Sequence, residues 1–295
     1  MTFYSSRIPV IWWGLLLRAV VAAVMILGAN ALGGLVSTGL EAWGFATSGA
    51  RQAVALIGQF FLVALLVVGM VAGWVRWVER GRLRPLLGSA LAGGGAFRLG
   101  TAIIVPLMVG IYVLRGAVAY ANGQLTTEYY AQYPTGAELA LSVLYVLTVA
   151  YVLQGFPEEL IYRGWLMEVT RQCPWLTLTW TTVAFTVIHL ISSGGQESWG
   201  DRLIYLILPL GMGLLAGALR IVTGSLWAGV ATHGGMHVVN NLVPPVVPVT
   251  GFDLAGVVLP GVAQAMVAAV ILWRWHGRSR ARGPILEKPA HEVGC

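Results

Sequence analysis

Apolar residues in this chain run in long stretches, and the short segments between them hold most of the charge. Eight stretches approach the roughly 20 residues a helix needs to cross a bilayer: 9–35, 53–76, 100–121, 137–157, 175–192, 203–221, 225–243 and 254–275. The pattern predicts an all-α fold, a polytopic transmembrane helical bundle of about eight spans. Arginine sets the orientation. Segments Arg76–Arg98 and Arg274–Gly283 are rich in it, whereas the alternate loops Asn122–Thr135, Ser192–Arg202 and Pro244–Asp253 are poor in basic residues. Basic loops stay on the cytoplasmic side, so both termini are expected there. The first stretch resembles a signal peptide, with small residues at Ala29–Ala31, but its apolar run is too long and Arg18 interrupts it. A retained first span is expected.

Composition agrees with this pattern. The 295 residues are 57% hydrophobic and 10% charged, with a mean hydropathy of +0.77. A soluble domain carries roughly 25% charged residues, so the composition argues against a soluble fold. The net charge of +6 sits beside apolar segments and reads as loop asymmetry rather than a nucleic-acid footprint. The expected partners are the lipid bilayer and a membrane protein or peptide substrate, with no nucleic acid; oligomeric state is not legible. Cys173 and Cys295 form neither a metal-ligand spacing nor a disulfide framework. A single integral-membrane domain is expected over 1–277, with a short disordered cytoplasmic tail over 278–295. Residues 1–135 hold few polar groups at membrane depth and read as scaffold. Residues 136–245 carry nearly all the intramembrane ionisable side chains.

One stretch among the apolar runs, FPEELIYRGW, Phe156–Trp165, holds two adjacent carboxylates and an arginine within six residues. On a helix Glu159 and Arg163 are four apart and share a face, where they can pair. Glu158 is rotated by about 100° from Glu159, and its neighbour four residues on is Tyr162. One glutamate has a cation and the other is free to move a proton. Pro157, just before them, removes a helical hydrogen bond and predicts a kink that opens space beside Glu158. Tyr162, Trp165 and Trp227 read as interface anchors, and Phe185 as packing that shapes His189.

Two hairpins bring further polar groups to the same depth. RQCPW, Arg171–Trp175, reads as a tight turn with Glu158 and His189 equally far along its two arms. At 1.5 Å per residue both lie about 20 Å from the turn. A second turn, Arg220–Trp227, places His233 roughly 14 Å along the next helix, with His237 one turn deeper on the same face. Ionisable groups inside a membrane are costly and mark functional interiors. Three helices thus offer Glu158, His189 and the His233/His237 pair to a common level.

These residues resemble the motifs of the CPBP family, which includes the CAAX prenyl endopeptidases and bacterial relatives. Glu158–Arg163 resembles its E-E-x-x-x-R motif, Phe185–His189 its F-x-x-x-H, and Gly224–His233 the stretch leading to its H-x-x-x-N. His237 stands where that last motif has Asn; a shifted register, His237 to Asn241, would restore it. The resemblance covers about 136–245 and implies an intramembrane endopeptidase. In that reading Glu158 is the general base on a water, aided by His189. Glu159 and Arg163 hold the helix and polarise the site, while His233 and His237 donate hydrogen bonds to the oxyanion. No cofactor follows with certainty. A divalent metal such as zinc could be held by Glu158, His189, His233 and His237, although no HExxH is present. From other classes, a proton- or ion-coupled transporter would use the same side chains as a relay, and a non-catalytic scaffold of the same family would not use them chemically.

Overall fold

The computed structural model describes residues 6–45, 49–88, 90–124, 136–192, 195–243 and 252–281. Among them the regular structure is helical, with no strand. We number the long helices α1 (Trp12–Ala42), α2 (Gly49–Trp77), α3 (Ala90–Ala121), α4 (Gly136–Val169), α5 (Pro174–Ile191), α6 (Trp199–Thr223), α7 (Trp227–Leu242) and α8 (Leu254–Ala281). All but α7 are long and apolar enough to cross a membrane.

Helix α7 stands at the position of the expected seventh span, 225–243, but has 16 residues, short of the about 20 a lipid-facing span needs. Every residue from Ala228 to Met236 is buried, and the helix packs against α3, α4 and α6. Its backbone polar groups bond within the helix and its flanks meet protein rather than lipid, so lipid thickness does not dictate its length.

The expected loop 76–98 is shorter than its glycines suggest. Helix α3 begins at Ala90 and runs through Gly93, Gly94 and Gly95. Helix propensity there is poor, but a Cβ at Gly93 would lie 2.7 Å from Cδ1 of Trp227. The missing side chain is what lets α3 and α7 meet, and tertiary packing overrides propensity. Gly211 of α6 and Gly261 of α8 do the same elsewhere: a Cβ on either would strike the other helix's backbone. Lipid tails are as apolar as leucine, so close packing of this kind, rather than the hydrophobic effect, holds membrane helices together.

Both turns expected from sequence are present. Residues 170–173 join α4 to α5, and Gly224, with φ of 69°, closes α6. The tail is helical as far as Ala281, so helix α8 takes in the first residues of the expected disordered segment. Its remainder, 282–295, lies outside the described residues, as do 125–135, 193–194 and 244–251 of the expected arginine-poor loops.

The scaffold is more polar inside than its sequence suggests. Arg18 is fully buried, and its guanidinium meets Glu79 through Nε to Oε1 at 2.7 Å and Nη2 to Oε2 at 3.0 Å. The remaining donors reach the carbonyls of Ile8, Pro9 and Gly14 and the Ser6 hydroxyl. Trp74 and Trp165 also donate to Glu79 Oε1. Burial pushes the Glu79 carboxyl up, but bonds from Arg18, Ser6 and Trp74 and the charge of Arg18 outweigh it and hold the carboxyl below its usual range. Trp165, 0% exposed, is therefore a buried hydrogen-bond donor and not an interface anchor. It ties α4 to the start of α1 and the end of α2. At the opposite end Arg115 Nη2 reaches Asp253 at 2.8 Å, joining α3 to the start of α8.

Candidate functional site

The site is built on α4. This helix does not break at Pro157; its winding continues from Gly136 to Val169 while its hydrogen bonding changes on both sides of the proline. Residues Thr148–Gly155 and Leu160–Leu166 are wound as π-helix around a four-residue α-helical turn, Phe156–Glu159. Phe156 N–H thus reaches back five residues to the Tyr151 carbonyl. Proline supplies no N–H and crowds the carbonyl four residues earlier. The helix accommodates it by widening, a distortion often found at functional sites. At the expected kink the helix is locally rewound, and Glu158 and Glu159 meet different surroundings.

Glu159 is 1% exposed. Its Oε1 accepts from Arg163 Nη1 at 3.0 Å and faces His233 Nδ1 at 3.3 Å. Gly229 on α7 makes room for it, because a Cβ there would collide with Glu159 Oε2. Arg163 also donates from Nη2 to the Gly213 carbonyl of α6 at 3.1 Å, and its Cζ stands 4.5 Å from the centroid of the Phe185 ring. One buried ion pair therefore links α4, α5, α6 and α7.

Phe185 is the hub of the cluster. Its ring lies 4.7 Å from His189, 5.9 Å from His233 and 5.2 Å from Tyr162, centroid to centroid. His237 follows at 5.2 Å from His233. Asn241, the alternative partner in the shifted register, is exposed and donates to the His237 carbonyl. His237 therefore occupies the place beside His233, and Asn241 does not.

Hydrogen bonding fixes both ring orientations. His189 Nδ1 lies 2.7 Å from the Phe185 carbonyl. A carbonyl only accepts, so Nδ1 carries the proton and Nε2 of the neutral ring has a free lone pair. The same reasoning for His233, whose Nδ1 faces a carboxylate, leaves its Nε2 accepting as well. A neutral His233 in this tautomer cannot donate from Nε2 to an oxyanion; only a doubly protonated ring can.

Glu158 is half-buried, and its Oε2 has no hydrogen-bond partner. Its charge reaches His189, Tyr162 and Tyr205. The structure thus separates a tied Glu159 from an untied Glu158, and brings His189 into electrostatic range of Glu158 across the hairpin. Zinc does not fit on this evidence: among the described residues no three His, Cys, Asp or Glu side chains gather into a metal-holding group.

Sequence reasoning misread one polar group near Glu158, Tyr162, and missed another, Gln154. Tyr162 is 1% exposed, not an interface anchor, and its hydroxyl has no partner; Gln154 Oε1, one turn before Glu158, has none either. Helical spacing of 154, 158 and 162 was the available signal.

Residues 140–239 match a family model described as type II CAAX prenyl endopeptidase Rce1-like. The matched segment runs from α4 to α7 and contains every residue of the cluster. No curated protein and no solved structure matches the chain.

Proposed function

From the match of residues 140–239 to the Rce1-like type II CAAX prenyl endopeptidase family model, we propose that this chain is an intramembrane endopeptidase of that family. The observation that carries the reading is the contrast between the two adjacent glutamates. Glu159 is locked by Arg163 and His233, and Glu158, in electrostatic range of His189, keeps an oxygen with no protein partner.

Glu158 takes a proton from a water, whose oxygen adds to the scissile peptide carbonyl to give a tetrahedral oxyanion. The proton then passes to the departing amine nitrogen as the C–N bond breaks, so no net proton is consumed in the step. His189 orients the water through its Nε2 lone pair. Glu159 seats His233, whose Nε2 donates to the oxyanion when both ring nitrogens carry protons, with His237 beside it. A positioned base contributes about 10²–10⁴ in rate. The protein sits in the cell membrane, both termini cytoplasmic, and its substrate is a membrane protein or membrane-bound peptide of the CAAX type.

The test is cleavage of a quenched fluorescent peptide with a prenylated CAAX terminus, in proteoliposomes. Glu158→Gln keeps shape and removes the base; kcat should fall about 10²–10⁴-fold with the melting temperature unchanged. A Glu158→Gln protein as active as the wild type refutes this assignment of the base. Glu158-dependent ion flux without cleavage would point to a transporter instead.

A further inference from the structure

Seven buried side-chain polar atoms among the described residues lack a partner, and four of them, on Gln154, Glu158, Glu159 and Tyr162, fall within two turns or so of α4. Buried polar groups are ordinarily bonded, and such a concentration asks for an explanation. Glu159 has one: its other oxygen holds Arg163 and His233. The remaining three recur every four residues along α4, about one turn of helix apart.

Tyr162 stands out. A buried tyrosine normally finds a partner for its hydroxyl, yet this one, 1% exposed, has none. Its ring is held edge-on to Phe185 at 5.2 Å and an interplanar angle of 81°. Phe185 is the residue that also seats His189 and His233. The hydroxyl is therefore set by the same packing that sets the histidines, and Glu158's charge reaches it.

A peptide unit carries one acceptor, its C=O, and one donor, its N–H. The stripe offers the complement: a hydroxyl that can donate at Tyr162, an amide oxygen that can accept at Gln154, and a carboxylate for the water between them. We propose that Tyr162 is a catalytic hydrogen-bond donor that contacts the carbonyl oxygen of the scissile peptide, with Gln154 accepting from that peptide's N–H. This rests on the endopeptidase reading above. Water adds to the carbonyl carbon, its proton goes to Glu158, and the oxygen that gains charge is the one Tyr162 holds. A donor placed where charge develops binds the transition state more tightly than the ground state, so its loss lowers kcat more than it alters KM.

Tyr162→Phe removes one oxygen and keeps the ring against Phe185. In the prenylated CAAX peptide assay, with wild type and Glu158→Gln in parallel, it should lower kcat about 10²–10³-fold and leave KM within about threefold. Because the hydroxyl is unpartnered in the protein alone, the melting temperature should stay level or rise. A purely structural tyrosine would do the reverse. If wild type cleaves and Glu158→Gln does not, but Tyr162→Phe keeps kcat within about twofold, the Tyr162 proposal is overturned and the endopeptidase reading stands. A Tyr162→Phe protein that loses activity only in step with its melting temperature overturns it equally. If the wild type does not cleave, the reading falls and this proposal with it.

Discussion

Replacing Arg163 with leucine would show how much the site's internal ion pair governs the fold. The guanidinium and its partner Glu159 have side-chain exposures of 2% and 1%. Removing the cation leaves a buried carboxylate whose Oε2 already lacks a partner and whose remaining contact is His233 Nδ1. Breaking a buried pair by deleting one member costs about 3–5 kcal/mol. Arg163 also bonds the Gly213 carbonyl and lies over Phe185, contacts that put the cost at the upper end, near 5 kcal/mol. Set against a total stability of roughly 5–15 kcal/mol, this is a severe loss. Replacing both partners with neutral groups should not add to it, because no uncompensated charge stays behind. Arg163→Leu/Glu159→Gln is therefore expected to recover about 2–4 kcal/mol of the single variant's deficit while remaining inactive. The assay is reversible denaturant unfolding in detergent micelles, completed as a double-mutant cycle. A single variant within about 1 kcal/mol of wild type, or a double variant no more stable than the single, would refute the reasoning.

Two further changes test the scaffold and the seat of Glu159. Glu79 has a folded pKa below its unfolded value of about 4.5, so its contribution to stability is fully present above that value and is lost as pH falls through the folded value. Melting curves across the acid range should show wild type losing stability below about pH 4.5 and Glu79→Gln doing so less steeply. Parallel curves would remove the Arg18–Glu79 account. Gly229→Ala adds a methyl where Glu159 Oε2 lies; overpacking of this kind costs about 1–3 kcal/mol. Peptide cleavage should fall with it, and a fully active, fully stable Gly229→Ala protein would show that Glu159 has room to move.

How much of this was legible beforehand follows the range of each interaction. The opposite fates of Glu158 and Glu159 were readable, because helix phase is a property of four consecutive residues. The hairpin turns were readable too, so the approach of His189 and Glu158 could be counted from chain length. The pairing of Arg18 with Glu79 was not, since 61 residues separate them and neither carries a local pattern that names the other. The contact between His233 and Glu159 belongs to the same class; it depends on Gly229 clearing space on a different helix.

The sequence by itself determined that this is a helical membrane bundle and which residues share a helix face, because bilayer thickness and the 3.6-residue turn act on contiguous chain. The tertiary structure decided where α3 begins and how α4 rewinds around Pro157. It also decided that Phe185 is a hub, and that Tyr162 and Trp165 are buried. Those outcomes depend on which helix face meets which. That meeting is settled by close packing between segments distant in the chain, at contacts such as Gly93 with Trp227 and Gly211 with Gly261.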